Sequence, residues 1–192
     1  IDKMLKIDGE FIKEELLKLC HREPYLMKIE DKVGIDDKSD PLNPKPVDRN
    51  KNTYTFNFDS YENMWTKHCA KLSAGCVIEV VDALYTGMIK SGFCIVRPPG
   101  HHAHPSTASG FFFFFNVTIA ARYVQKNYGV KKVWIFDWDV HFGDGTSAIF
   151  DTDPSVLFIS PHRYNSGKFY PGGPNGAAKK IGSKEGKGYN LN

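Results

Sequence analysis

The sequence is poor in the features that mark a membrane protein or a secreted protein. No apolar run approaches the roughly 18 residues that a membrane-spanning helix needs, and the phenylalanine run at 111–115 is far too short. No secretory signal is recognisable either. The four cysteines, Cys20, Cys69, Cys76 and Cys94, show neither a CxxC pair nor a Cys/His metal spacing. We therefore expect no membrane span, and small buried thiols in a reducing compartment.

The sequence also has no large excess of charge of one sign. The 192 residues carry a net charge of +3 and 41% of them are hydrophobic, a composition typical of one soluble globular domain with a real core. The lysines at 179, 180, 184 and 187 have no aromatic residues between them that could stack on bases, so they predict a solvated face. We expect no direct binding to nucleic acid.

The order of apolar patterns predicts an α/β fold. Helices are expected at 10–19, at 62–89 with Gly92 after it, at 117–127 before Gly129, and at 146–150. Short apolar runs predict strands at 93–96, 133–136 and 156–160. Strands that alternate with helices are typical of a parallel sheet covered on both faces. The proline-rich stretch 33–52 is expected to be a loop or an insertion.

Polar groups follow the predicted strand 133–136 at once. Asp137, Asp139 and His141 are two residues apart, so in extended chain they project from one face, at the sheet edge where open α/β folds bind ligands. A carboxylate and an imidazole at this spacing suit zinc. On spacing alone, an aspartate that caps the next helix and an ordinary loop imidazole explain the pattern as well. Both interpretations stay open at this point.

A richer set appears when the adjacent histidines His101 and His102, which follow a turn, are added to this edge together with Asp144. Their joint chemistry is metal-assisted hydrolysis, in which a metal activates water and an imidazole moves its proton. Carboxylates paired with the imidazoles would raise their pKa and fix their tautomers, and Asp137 and Asp144 are the candidates.

Six segments resemble the zinc-dependent histone deacetylase family, in its class II form, over about 59–192. They are Arg97-Pro-Pro-Gly-His-His-Ala103, Gly110-Phe111, Asp137-Trp-Asp-Val-His141, Gly143-Asp-Gly-Thr146, Asp153-Pro-Ser-Val156 and Ser160-Pro-His-Arg-Tyr164. The resemblance implies the three-layer αβα fold of the arginase and deacetylase superfamily. It also implies a single domain over residues 1–192 that is apparently incomplete at its C-terminus.

The resemblance assigns roles to residues of this sequence. Asp139 and His141 match two of three zinc ligands, and His101 and His102 match the catalytic pair, oriented by Asp137 and Asp144 respectively. The substrate tunnel is matched by Asp59 at its rim and by Gly110, Phe111 and Tyr170. Potassium bound through backbone oxygens is implied at Asp137, Asp139, His141, Ser160 and Pro161, and a second potassium at Phe150, Asp153 and Val156.

The sequence also departs from the family pattern. Phe142 stands where the family has a second histidine, and Phe112 and Phe115 stand where it has a cysteine and an asparagine. Large rings at these positions are expected either to remove orienting hydrogen bonds or only to reshape the cavity. The family's third zinc ligand, an aspartate, and its catalytic tyrosine lie downstream of the segment matched by 186–192.

Two functions are consistent with these observations. The first is a zinc-dependent deacetylase that acts on acetyl-lysine of a histone or tubulin, with an acetylated polyamine as the variant substrate, in the nucleus, the cytoplasm or both. The second is a degenerate deacetylase domain that serves as a structural or interaction module, for instance within a larger complex. Of the remaining histidines, we expect His104 in an exposed loop, His162 in a structural role and His68 on the surface.

Overall fold

The structure is a computed structural model that describes residues 4–32, 53–55, 60–63 and 65–192. The predicted loop 33–52 and the tunnel residue Asp59 lie outside the described residues. The helices are α1 Glu14–Leu17, α2 Glu23–Lys32, α3 Thr66–Tyr85, α4 Asn116–Tyr128 and α5 Asp144–Phe150. The strands are β1 Thr53–Thr55, β2 Tyr61–Asn63, β3 Val133–Phe136, β4 Val156–Ile159 and β5 Asn190–Leu191. Short 3₁₀ helices cover Asn165–Gly167 and Lys184–Gly186.

A parallel sheet of order β3-β4-β5 forms the centre of the fold. β3 pairs with β4 from Val133 opposite Val156 to Phe136 opposite Ile159, and β5 joins through Phe158 opposite Asn190. Parallel neighbours need a crossover connection, and α5 supplies the one between β3 and β4. The predicted mixed α/β architecture with a parallel sheet is confirmed. β1 and β2 form a separate antiparallel pair that the sequence patterns did not predict.

Two long helices form at the predicted places, and each ends at a glycine. α4 ends at Gly129, whose φ of 68° is left-handed, as predicted. α3 ends earlier than expected, before Gly87 with a φ of 78°. Gly92 instead packs closely, since a Cβ there would lie 2.3 Å from Cγ1 of Val80. The predicted helix 10–19 is confined to α1, and α2 was not predicted.

Two hydrophobic cores hold these elements together. The larger one joins the N-terminal helices to α3, α4 and the phenylalanine run, with Leu17, Phe114 and Ile119 almost fully buried. The smaller one lies between α4, the sheet and α5, around Phe150, Val156 and Phe158. At about 25 cal/mol per Å² of apolar surface, these side chains supply the main stabilising term.

Two expectations about strands are wrong. Residues 93–96 form no strand, and Phe93 and Ile95 are 80% and 90% exposed, because among the described residues no strand lies beside them. β3 was expected to be buried on both faces, but Trp134 and Phe136 are 67% and 51% exposed while Ile135 is buried. β3 is the edge strand of the described sheet, and only its Ile135 face meets the core.

No described helix is both long enough and apolar enough to cross a membrane. All four cysteines are free. Cys20 is buried as expected, but Cys69 is exposed and Cys76 and Cys94 are partly buried.

Candidate active site

The chain leaves β3 after Phe136 through two successive side-chain turns. The backbone N–H of Asp139 donates to Oδ1 of Asp137 at 3.2 Å, and that of His141 donates to Oδ1 of Asp139 at 2.7 Å. Aspartate favours such local bonds over further strand pairing. The three side chains therefore gather at the carboxyl end of β3 through turns, where the sequence pattern had predicted simple strand alternation.

The turn at 97–100 carries the two histidines to the same edge. The carbonyl of Pro98 accepts hydrogen bonds from Oγ of Ser73 at 2.6 Å and from Nδ2 of Asn116 at 3.0 Å. Gly100 lies so close to the start of α4 that a Cβ would come within 2.5 Å of the backbone nitrogen of Asn116. The carbonyl of His101 then accepts from the backbone N–H of Gly145 at 3.1 Å. Both ends of the turn are thus fixed to helices.

Each of these histidines faces its own carboxylate. Nδ1 of His101 lies 2.8 Å from Oδ2 of Asp137, and Nδ1 of His102 lies 2.7 Å from Oδ1 of Asp144. The two imidazole rings are 4.0 Å apart between centroids. Only 4% of the His102 side chain and 20% of the Asp144 side chain are exposed. These bonds are therefore shielded from competing water.

The electrostatics follow from these contacts. Burial lowers the pKa of His101, but the hydrogen bond to Asp137 and its charge outweigh burial and raise that pKa above its ordinary value. Burial raises the pKa of Asp144, yet hydrogen bonds from His102 and His104 lower it below its ordinary value. Asp144 thus stays ionised and acts as an acceptor.

Asp139 and His141 form a second, more open pair. Oδ1 of Asp139 lies 2.9 Å from Nδ1 of His141, and their side chains are 45% and 37% exposed. The His141 ring meets His102 edge to face at 6.0 Å and stacks on Phe169 at 5.0 Å. Within the described ranges no group of three or more His, Cys, Asp or Glu side chains converges on a metal position. The chain therefore brings a carboxylate oxygen and an imidazole nitrogen together beside His102.

Aromatic side chains stand beside this pair. The Tyr170 ring meets the rings of His102 and His141 edge to face, at 5.0 Å and 5.9 Å. Gly110 has a φ of 56°, and a Cβ there would lie 2.8 Å from Cδ2 of His102 and from the hydroxyl of Tyr170. Phe111 is 62% exposed. Two of the four predicted tunnel residues, Gly110 and Tyr170, thus lie against the histidines, and Phe111 follows Gly110 in the chain.

The three phenylalanines that depart from the family pattern all pack against imidazoles. The Phe112 ring lies 5.2 Å from both the His101 and the His102 rings. Phe142 is 3% exposed and lies 4.8 Å from the His162 ring. Phe115 is fully buried and stacks on His21 at 4.8 Å. Phe112 thus fills space next to the two histidines, and both His–Asp hydrogen bonds are in place beside it.

The predicted potassium positions form two groups. The register of β3 and β4 places Asp137 beside the Ser160–Pro161 segment, since the backbone N–H of Asp137 donates to the carbonyl of Ile159 at 2.9 Å. Phe150, Asp153 and Val156 lie on the connection from α5 to β4. The Asp153 carboxylate is paired with Arg122 at 2.5 Å. Any potassium there would have to use backbone oxygens.

Two residues at the site were missed by sequence reasoning. His104 was expected in an exposed loop, but it is half-buried and its Nε2 lies 2.9 Å from Oδ2 of Asp144. Phe169 stacks flat on His141, and the Arg163 guanidinium lies 4.6 Å from the centroid of the Phe169 ring. In the sequence, the only clue to Phe169 is its position next to Tyr170. The only clue to His104 is its position two residues after His102.

Two imidazole–carboxylate pairs lie at the carboxyl edge of a parallel sheet, an arrangement in which a histidine can accept and release a proton. The sequence profile of the histone deacetylase domain matches residues 1–192, and the chain belongs to this family. It is 39% identical over 180 residues to polyamine deacetylase HDAC10 of Rattus norvegicus, covering 93% of this chain and 29% of that protein. It is 46% identical over 132 residues to histone deacetylase 9 of Homo sapiens, covering 69% of this chain and 13% of that protein.

The fold agrees with this membership. The crystal structure of the HDA15 HD domain superposes with a TM-score of 0.84 at 36% identity, over 99% of this chain and 50% of that chain. The chain therefore spans half of that solved chain and less than a third of either curated relative. The predicted family and fold are confirmed.

Proposed function

We propose that this protein is a zinc-dependent deacetylase that hydrolyses the acetamide of acetyl-lysine on another protein. The observation that carries the proposal is the Asp139–His141 pair, whose Oδ1 and Nδ1 atoms converge at 2.9 Å beside the ring of His102. Carboxylate oxygen and imidazole nitrogen are ligands that zinc takes. A bound zinc would lower the pKa of a water and polarise the acetamide carbonyl.

His102 is the general base and acid in this proposal. Because the ionised Asp144 can only accept, Nδ1 of His102 carries a proton, and in the neutral imidazole Nε2 then has the free lone pair. Nε2 can then take a proton from the attacking water and return it to the departing amine. His101, whose pKa is raised beside Asp137, is the electrostatic partner.

Four parts of the site belong to the proposal through family membership. The third zinc ligand and the tyrosine that polarises the carbonyl are expected from sequence downstream of 186–192. Potassium is expected at the backbone oxygens of the β3 and β4 ends. Asp59 is expected to hold the substrate backbone at the rim.

The substrate class rests on the aromatic walls. Phe111 and Tyr170 offer apolar ring surface of the kind that a four-carbon lysine stem buries well. A histone or tubulin in the nucleus or cytoplasm, within a larger complex or alone, would supply such a side chain. An acetylated polyamine presents the same acetamide on a similar stem, and a relative named polyamine deacetylase makes it the variant to test.

The competing function is a degenerate domain that binds partners without catalysis. Phe112, Phe115 and Phe142 favour it, because they stand where the family pattern has polar residues. The intact hydrogen bonds of His101 and His102 favour the enzyme, because a scaffold has no need to align two adjacent imidazoles on carboxylates.

A turnover assay separates the two. The natively purified, zinc-supplied full-length protein is assayed on an acetyl-lysine peptide and on an acetylated polyamine, together with Asp144→Asn and, as a matched control on the exposed end of α4, Lys126→Ala. Asp144→Asn should lower kcat by about a hundredfold or more with KM unchanged, because His102 loses its anionic partner. Lys126→Ala should match the wild type. A folded wild-type protein that turns over neither substrate contradicts the proposal.

A further inference from the structure

A single carboxylate serves two imidazoles in this protein. Oδ1 of Asp144 lies 2.7 Å from Nδ1 of His102, and Oδ2 lies 2.9 Å from Nε2 of His104. Both oxygens of the Asp144 carboxylate are therefore engaged, each by a different ring. The ion pair of His104 is with Asp144 and not with the Asp139–His141 pair, and the proposed chemistry gives His104 no role.

The backbone holds His102 and His104 on the same side of the chain, where both contact Asp144. Ala103 between them is fully buried against the start of α5, where a Cβ on Gly145 would come within 1.9 Å of its carbonyl oxygen. The backbone N–H of His104 donates to the carbonyl of Thr107 at 2.9 Å and closes the turn that follows. His104 is thus fixed by its backbone, and its ring reaches Asp144 without a long flexible arm.

The second contact has a mechanical consequence. The terminal torsion of an aspartate is broad and roughly two-fold, so a carboxylate held through one oxygen rotates easily about its last bond. A second donor on the other oxygen fixes the carboxylate plane. Since His102 takes its orientation from Oδ1, any rotation of Asp144 would move the proton on Nδ1 and the lone pair on Nε2.

We propose that His104 is a positioning residue that holds the Asp144 carboxylate in the plane that orients His102. The proposal rests on the proposed function only in treating His102 as the base. Electrostatics support it, since the hydrogen bond to Asp144 raises the pKa of His104 above its ordinary value against the effect of burial. A protonated or neutral His104 can donate from Nε2 in either case.

A cavity next to this contact sets the size of the expected effect. A space of about 420 Å³ opens beside His104 and Asp144 and reaches Asp151, Lys180 and Asn190. Without the imidazole, water from this space would solvate Oδ2 of Asp144 and keep it ionised. Loss of His104 should therefore cost far less than loss of Asp144.

The test compares three variants of the natively purified protein. His104→Ala removes the donor, and His104→Gln places an amide N–H the same number of bonds from Cα as Nε2. Lys180→Ala changes the lining of the same cavity, away from the two hydrogen bonds of Asp144. His104→Ala should lower kcat about tenfold with KM unchanged, His104→Gln should recover most of it, and Lys180→Ala should match the wild type. Equal losses in the Ala and Gln variants would overturn the proposal.

A spectroscopic readout tests the same claim without turnover. The Nδ1 proton of His102, assigned by its absence in His102→Gln, should give a slowly exchanging low-field NMR signal in the wild type and in His104→Gln. In His104→Ala it should broaden through exchange with water. An unchanged signal in His104→Ala would overturn the positioning role. The expected NMR pattern in a protein without deacetylase activity would support that role and contradict the proposed function instead.

Discussion

The side chains of Asp139 and His141 are in hydrogen-bond contact after the carboxyl end of β3, with Oδ1 of the aspartate 2.9 Å from Nδ1 of the histidine. The aspartate is also bonded to the backbone N–H of His141, so one carboxylate oxygen fixes both the turn and the imidazole. Burial raises the pKa of Asp139, but its hydrogen bonds with His141 outweigh burial and lower it. An ionised carboxylate beside an imidazole nitrogen is the pairing that a divalent metal would use.

Gly145 should tolerate no side chain. A Cβ at this position would lie 1.9 Å from the carbonyl oxygen of Ala103 and 2.9 Å from that of His101, and backbone cannot move away cheaply. We expect Gly145→Ala to lower the free energy of unfolding by about 3 kcal/mol, because the backbone of residues 101–103, the histidine segment, must shift. Urea unfolding followed by circular dichroism measures this.

Gly129 provides the matched control for that substitution. It has a φ of 68° at the end of α4, but a Cβ at this position would meet no heavy atom within 4 Å. Gly129→Ala should therefore cost about 1 kcal/mol from backbone strain alone. Equal costs at the two glycines would contradict the close packing of α5 against the histidine segment.

His21 should make the protein less stable in acid. Its ring is 4% exposed, Nε2 accepts the backbone N–H of Phe115 at 3.0 Å, and burial lowers its pKa to about 4. Between about pH 6.5 and about pH 4 the unfolded chain binds a proton here that the folded protein does not. The free energy of unfolding should thus fall as pH falls through this range, by about 3 kcal/mol from His21.

Other histidines make the protein more stable in acid. The effect of His21 is therefore measured as the difference in pH-dependent stability between the wild type and a His21 variant. The raised pKa values of His101 and His104 stabilise the fold below about pH 6.5 and less above it. His21→Gln, which removes only the buried imidazole, should be less stable than wild type at neutral pH and should lose stability less steeply toward acid pH. Parallel pH profiles of the two proteins would show that His21 is not neutral and buried.

The thiols should react in an order set by exposure. Cys69 is exposed on α3, whereas Cys20 is 7% exposed and burial raises the pKa of its thiol to about 12. Because the thiolate is the reactive form, a maleimide at neutral pH should label Cys69 within minutes and Cys20 only after unfolding. Mass spectrometry of peptides gives the order. Fast labelling of Cys20 in the native protein would contradict the packing of α1.

Local sequence patterns correctly predicted those helices and strands whose bounds are set by their own residues. β3 has the predicted bounds because four apolar residues are followed at once by aspartate, and α4 ends at Gly129 because glycine adopts its left-handed φ without strain. Residues 93–96 have an equally apolar pattern, but a strand also needs a neighbour, which no pattern within the segment reveals. β5 is only two residues long and exists through pairing with β4.

The same limit applies to the site. Asp137, Asp139 and His141 are close in sequence, so spacing alone brought them together as candidates. The contact of His104 with Asp144 spans forty positions, and that of His21 with Phe115 spans ninety-four. Such contacts follow from how α5 and the N-terminal helices pack, so the sequence pattern around a single histidine does not identify its partner. The roles of the site residues stay a prediction.

Zinc content is the decisive measurement for this site, obtained by elemental analysis of the natively purified full-length protein beside Asp139→Ala and Lys126→Ala. We expect about one zinc per chain in the wild type and in Lys126→Ala, and loss of that zinc in Asp139→Ala, since the variant removes one of the two converging ligand atoms. No zinc in a folded wild-type protein, or full retention in Asp139→Ala, would contradict a zinc site at Asp139 and His141.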